Sequence, residues 1–185
     1  MEALADLRLT PDEFFELYAG QRFELVDGRA SAMAGGSRLH AQVTSNIHAS
    51  LWLRLRGTPC RAYNSDMAVR TEQDTIRYPD ITIICDEKEL GDEAGKQFAL
   101  IAPKVLIEVR SPSTERDDRF VKLDEYKALP SVDTIVLVHP EERRFDTFER
   151  HGEREWLNTV RLPGSSLNLR DPEVTVTADE MFYGL

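Results

Sequence analysis

Two stretches decide how this chain folds. One is Tyr78-Pro79-Asp80-Ile81-Thr82-Ile83-Ile84. The other is Val105-Leu106-Ile107-Glu108-Val109-Arg110-Ser111-Pro112-Ser113-Thr114. Each is an apolar run of strand length carrying one carboxylate. Asp80 follows a proline, which suits the first position of a strand. Glu108 closes a run that reads as a fully buried strand. An ionised carboxylate is costly to bury unless it is paired or binds a cation. Two carboxylates delivered by the ends of neighbouring strands can share a hard divalent cation, and Mg²⁺ takes oxygen ligands while keeping several waters.

Working outward, Thr10-Pro11-Asp12-Glu13 starts a helix: Thr at the N-cap, Pro at the first helical position, Glu completing a capping box. Residues 23–26, Asp27-Gly28 and residues 29–33 read as a hairpin with a primed turn. Glu24 points away from Phe23 and Leu25, as either a solvated strand residue or a functional one. After Gly35-Gly36, Ser37 caps a long helix to about Leu55, with Leu39, Val43, Ile47, Leu51 and Leu55 as its core stripe. His40 lies in the first turn, where the helix dipole favours a neutral imidazole. It is either a site residue or a surface histidine.

Further strands are expected at residues 60–64 and 67–70, around a Ser65-Asp66 turn. Residues 86–104 read as a solvated loop or short exposed helix. Ser111 to Thr114 open a helix running to about Leu129. Asp118, Lys122 and Tyr126 form one stripe on it, either a site face or simply an Asp118–Lys122 salt bridge. Residues 134–138 form a second central strand. Residues 145–150 and 156–162 read as outer strands, 167–169 and 174–176 as short edge elements, and Thr177 as the start of a last helical turn. His48, His139 and His151 read as structural, exposed or turn residues.

The residues Pro79-Asp80, the string from Glu108 to Thr114, and the spaced Asp118, Lys122 and Tyr126 together resemble the restriction-endonuclease-like, PD-(D/E)XK superfamily. More narrowly they resemble its bacterial Uma-two branch. Residues 23–28 and His40 match that branch as well, and the likeness spans about residues 10–150. The resemblance implies an α/β fold: a restriction-endonuclease-like core whose central mixed, twisted sheet is flanked by helices, with an N-terminal helix and hairpin, as one domain over residues 1–185. It implies a DNA endonuclease using Mg²⁺ or Mn²⁺. Asp80 and Glu108 would hold the metal, and Glu24 or His40 would complete the shell. Lys122 would be the catalytic cation, with Arg110, Ser111, Ser113 and Tyr126 contacting phosphate or substrate. Arg110 stands where the superfamily usually has lysine, and in this branch the lysine falls at Lys122.

Composition bounds these expectations. The 185 residues suit one domain with a sizeable core. No apolar run approaches the roughly 18 residues of a membrane span. Residues 1–6 lack the basic and apolar segments of a signal peptide. Cys60 and Cys85 form no CxxC pattern and read as buried reduced thiols of a cytoplasmic protein. The four histidines lack HExxH or HxH spacing, which argues against a zinc hydrolase. The net charge of -10 is awkward for a DNA enzyme, because phosphate binding depends on Lys and Arg. It calls for local basic patches, a narrow substrate or a basic partner. It also leaves open a catalytically silent dimeric binding or regulatory module. A homodimer is expected in either case.

Overall fold

The structure, a computed structural model, describes residues 8–72, 74–91, 98–111 and 116–185, with side chains left out at 116–120. The elements are α1 (Pro11–Tyr18), β1 (Phe23–Val26), β2 (Arg29–Ala32), α2 (Arg38–Leu55), β3 (Arg61–Asn64), β4 (Ala68–Glu72), β5 (Thr75–Arg77), β6 (Ile81–Ile84), β7 (Ala99–Leu100), β8 (Val105–Val109), α3 (Arg116–Ala128), β9 (Thr134–His139), β10 (Arg144–Arg150), β11 (Trp156–Arg161), β12 (Leu167–Arg170), β13 (Glu173–Val176) and α4 (Ala178–Met181).

Local chemistry sets most boundaries. Thr10 and Glu13 form the expected capping box around Pro11. Asp27 and Gly28 have φ of 55° and 75°, the double positive φ of a type I′ turn, so β1 and β2 close as a tight hairpin. Ser37 caps α2 by accepting from the His40 N–H. A second capping box, Thr177 with Glu180, opens α4.

A six-stranded sheet runs β11-β10-β9-β8-β6-β3, with β8 and β9 parallel and the other pairs antiparallel. The parallel pair needs a crossover, and α3 provides it. The sheet's two faces follow strand alternation. Ile81, Ile83, Val105, Ile107, Val136 and Val138 pack with the stripe Val43, Ile47, Leu51 and Leu55 of α2. Ile84, Leu106, Ile135 and Leu137 pack with Leu123, Tyr126 and Leu129, on or just after α3. Glu108 alternates with Leu106, so it faces α3.

Three features depart from the sequence expectations. A second sheet, β2-β1-β5-β4-β7, takes in the N-terminal hairpin and brings β1 beside β5. The segments at 167–170 and 173–176 pair with each other in a separate ribbon. Cys60 and Cys85 form a disulfide instead of remaining reduced thiols. The reason is register: β3 and β6 are antiparallel with Arg61 opposite Ile84, so the next residue out on each strand is a cysteine facing a cysteine. Among the described residues, no helix is long and apolar enough to cross a membrane.

Candidate active site

The antiparallel register of β6 and β8 places Ile81 opposite Ile107. One step back on β6 and one step on along β8 put Asp80 opposite Glu108. Both carboxylates line one cavity of about 430 Å³, together with Glu24, Arg77, His40, Arg110, Ser111, Lys122 and Tyr126. Six elements contribute: β1, β5, the N-terminus of α2, the ends of β6 and β8, and α3.

Asp80 is held through a single oxygen. Its Oδ2 accepts from the Val109 N–H at 2.7 Å and from His40 Nε2 at 3.0 Å. The bond to Asp80 raises the His40 pKa above its ordinary value despite burial, and Glu108 adds to the effect. The sequence expectation of a neutral imidazole considered the helix dipole alone; the fold adds a carboxylate 40 residues away, which favours the protonated ring. Gly36 makes this ring position possible: a Cβ there would lie 2.6 Å from His40 Nδ1.

Glu108 accepts from the Tyr126 hydroxyl at 2.7 Å through Oε1. Burial pushes its carboxyl up to about 7; Lys122 pulls it down, while Asp80 pushes it further up. Burial and the neighbouring Glu108 also lift the Tyr126 phenol well above its usual range, so it stays a neutral donor.

Glu24 is buried, at 7% exposure, so it is not a solvated strand residue. Its Oε1 accepts from Lys122 Nζ at 2.9 Å and its Oε2 from Arg77 Nη1 at 2.9 Å. Burial alone would raise this carboxyl, but Lys122 and Arg77 together hold it below the usual carboxylate range. Arg77, 1% exposed, also grips Glu125 in a two-bond fork, Nε to Oε2 at 2.8 Å and Nη2 to Oε1 at 2.6 Å. Thr71 Oγ1 donates to the same Glu125 at 3.1 Å.

Arg110 and Ser111 stand at the cavity rim. Arg110 Nη1 contacts His139 Nδ1 at 3.1 Å, and His139 Nε2 contacts Asp146 at 2.9 Å. His139 is therefore no turn residue. It ends β9, is buried, and burial lowers its pKa although Asp146 opposes the shift. A neutral ring donating to Asp146 leaves Nδ1 free to accept from Arg110. Ser113 and the side chain of Asp118 lie outside the described residues, and with them the Asp118–Lys122 salt bridge.

The structure thus brings together Asp80, Glu108, Glu24, His40, Lys122 and Tyr126, with Arg110 and Ser111 at the edge. The sequence reading passed over Arg77, Glu125 and Asp146, and took His139 for a turn residue. Arg77 had one signal: a charged residue in Thr75-Ile76-Arg77, immediately before the Tyr78-Pro79-Asp80 run. Glu125 lies three residues past Lys122, a spacing that shares a helix side.

The donor set suits a hard cation. Among the described residues, no three His, Cys, Asp or Glu side chains form a ready-made metal cage. Mg²⁺ and Mn²⁺ do not need one, since one or two carboxylates with waters and phosphate oxygens suffice. Asp80 and Glu108 are the two carboxylates of the cavity that could serve in this way.

A family model described as "Putative restriction endonuclease" matches residues 11–177, and the chain belongs to this Uma2 family. Two curated proteins of Synechocystis sp. (strain ATCC 27184 / PCC 6803 / Kazusa) are similar to it. The uncharacterized protein slr1290 is 28% identical over 181 residues, covering 96% of this chain and 93% of its own. The uncharacterized protein sll1609 is 28% identical over 154 residues, covering 82% and 86%. A crystal structure titled as a putative nuclease belonging to DUF820, from Anabaena variabilis ATCC 29413, superposes with a TM-score of 0.74 at 19% identity, covering 94% of this chain and 97% of that one. That likeness establishes a shared fold.

Proposed function

We propose that this protein is a divalent-metal-dependent nuclease that hydrolyses phosphodiester bonds in DNA. The observation that carries the reading is the pair Asp80 and Glu108, opposed across two strand ends in one cavity, with the Lys122 ammonium beside them. Asp80 and Glu108 would hold Mg²⁺ or Mn²⁺. Such an ion, when bound, lowers the pKa of its water and offsets the charge that develops on the phosphoryl group.

The chain's own residues supply the rest. The Tyr126 hydroxyl and the Val109 N–H each fix one carboxylate oxygen and so aim the other into the cavity. His40 bonds the same Asp80 oxygen as the Val109 N–H. Lys122 donates to a phosphate oxygen or to the attacking water, as a compact charge on a flexible stem. Arg110 and Ser111, at the rim, bind the flanking phosphate. Local basic groups of this kind reconcile a net charge of -10 with a polyanionic substrate.

The test is nicking of supercoiled plasmid in Mg²⁺ and in Mn²⁺, with Asp80→Ala as the blank. Lys122→Ala is expected to lose about a hundredfold in rate, at least as much as Arg110→Ala, while remaining folded. Wild-type activity no higher than the blank, across both ions and several substrates, would instead favour a silent binding module, a reading to which the acidic charge lends weight.

A further inference from the structure

The buried cluster behind Lys122 has a composition that the nuclease reading does not use. It holds two cations, Arg77 and Lys122, and two carboxylates, Glu24 and Glu125. Among the described residues, Lys122 meets Glu24 at 2.9 Å, Glu24 meets Arg77 at 2.9 Å, and Arg77 meets Glu125 at 2.6 and 2.8 Å. The residues come from β1, β5 and α3, so the cluster ties the second sheet to the crossover helix. A buried guanidinium is tolerable only when its donors are taken up by charge partners.

We infer that Glu24 is a positioning residue that aims Lys122 at the reacting phosphate, anchored in turn by Arg77 and Glu125, and that it does not ligate the metal. This inference rests on the nuclease reading and departs from the expectation that Glu24 or His40 completes the metal shell. Each Glu24 oxygen already accepts from a cation, and the Tyr78 N–H approaches Oε1 at 3.4 Å. A carboxylate flanked by two cations has little charge left for a third. Glu108 differs: its direct partner is the neutral Tyr126 hydroxyl. Lysine has a long, flexible side chain, and holding its ammonium in one place requires a fixed acceptor. Glu24 can be that acceptor because Arg77, gripped by the Glu125 fork and reinforced by Thr71, cannot swing away. The arrangement is a rigid acceptor for a mobile donor.

The experiment compares Glu24→Gln, Glu125→Gln, Lys122→Ala, Asp80→Asn and the double variant Glu24→Gln/Lys122→Ala. Mn²⁺ affinity is measured by calorimetry without DNA, and kcat and KM by plasmid nicking. Lys122 itself is followed by the rate of reductive methylation of its ammonium. Glu24→Gln is expected to keep Mn²⁺ affinity within about twofold of wild type, to lose kcat by about thirtyfold at unchanged KM, and to methylate faster at Lys122. The double variant should be no slower than Lys122→Ala, because the two residues act as one unit. Glu125→Gln, which leaves Glu24 in place, should show a smaller kcat loss at wild-type Mn²⁺ affinity, and it serves if Glu24→Gln does not fold. Loss of Mn²⁺ binding in Glu24→Gln comparable to that in Asp80→Asn would overturn the inference, as would multiplying rate losses in the double variant. Failure of the nuclease reading is distinct: Asp80→Asn would then bind Mn²⁺ like wild type. Inactivity of every protein would fail that reading alone, with the Glu24→Gln affinity and Lys122 methylation still deciding the role of Glu24.

Discussion

The Tyr126 hydroxyl donates to Oε1 of Glu108 at 2.7 Å, from a side chain that is almost wholly buried in the α3 face of the core. This bond stabilises the ionised form of Glu108 against the burial that opposes it. Tyr126→Phe keeps the ring and removes the donor. Glu108 is then expected to titrate above about 7, and Mn²⁺ affinity at pH 7 to fall about tenfold, as for loss of a group supporting a metal ligand. Calorimetry should show part of the loss recovered at higher pH, where the carboxyl ionises. Unchanged affinity at both pH values would separate Tyr126 from metal binding.

Glu108 makes metal-free stability depend on pH in a defined direction. Its folded pKa of about 7 lies above the ordinary 4.5. Between those values the folded chain holds a proton that the unfolded chain has released. Stability through this group therefore falls as pH rises across that window, and the full cost is present above 7. Glu108→Gln is expected to stabilise the metal-free protein by about 3 kcal/mol at pH 8 and hardly at all at pH 4, read by urea denaturation. An equal effect at both pH values would contradict the raised pKa.

His40 changes stability in the same direction with pH, but as a stabilising contribution at low pH instead of a cost at high pH. Its hydrogen bond to Asp80 raises its pKa above 6.5. The stabilisation is fully present below 6.5 and is lost as pH rises through the higher folded value. Replacing His40 with Ala should cost about 1 kcal/mol at pH 5.5 and less at pH 9. NMR should place the wild-type His40 titration above 6.5, and Asp80→Asn should bring it back toward that value. A His40 titration unmoved by Asp80→Asn would remove the coupling.

The Cys60–Cys85 bridge closes a separation of 25 residues. It lies at the end of β6 opposite Asp80. Cys60→Ala/Cys85→Ala should lose about 3 kcal/mol of stability with no change in nicking rate or Mn²⁺ affinity at low temperature. Wild-type stability in that variant would mean the bridge carries no load in solution.

Much of the fold was legible because its signals are local. Capping boxes at Thr10 and Thr177, the Asp27-Gly28 turn and the four-residue stripe of α2 depend on residues within one or two turns of each other. The apolar runs around Asp80 and Glu108 announced buried strands, and their lone carboxylates are the pair that the fold sets opposite each other in one cavity. The motif string from Glu108 to Thr114, with Pro79-Asp80 and Lys122, was enough to suggest the family that the comparison then established.

What the sequence alone determined is which segments form elements and which carboxylates interrupt the apolar runs, since both follow from short-range spacing and side-chain type. Tertiary structure decided the partners. Whether Glu24 meets solvent, a metal or Lys122 depends on β1 docking beside β5, and no local pattern encodes that. Arg77 reaches Glu125 across 48 residues, and His40 reaches Asp80 across 40. The protonation of His40 and Glu108 follows from those long-range contacts, because a pKa responds to the charges and burial around a group, and only the folded chain supplies them.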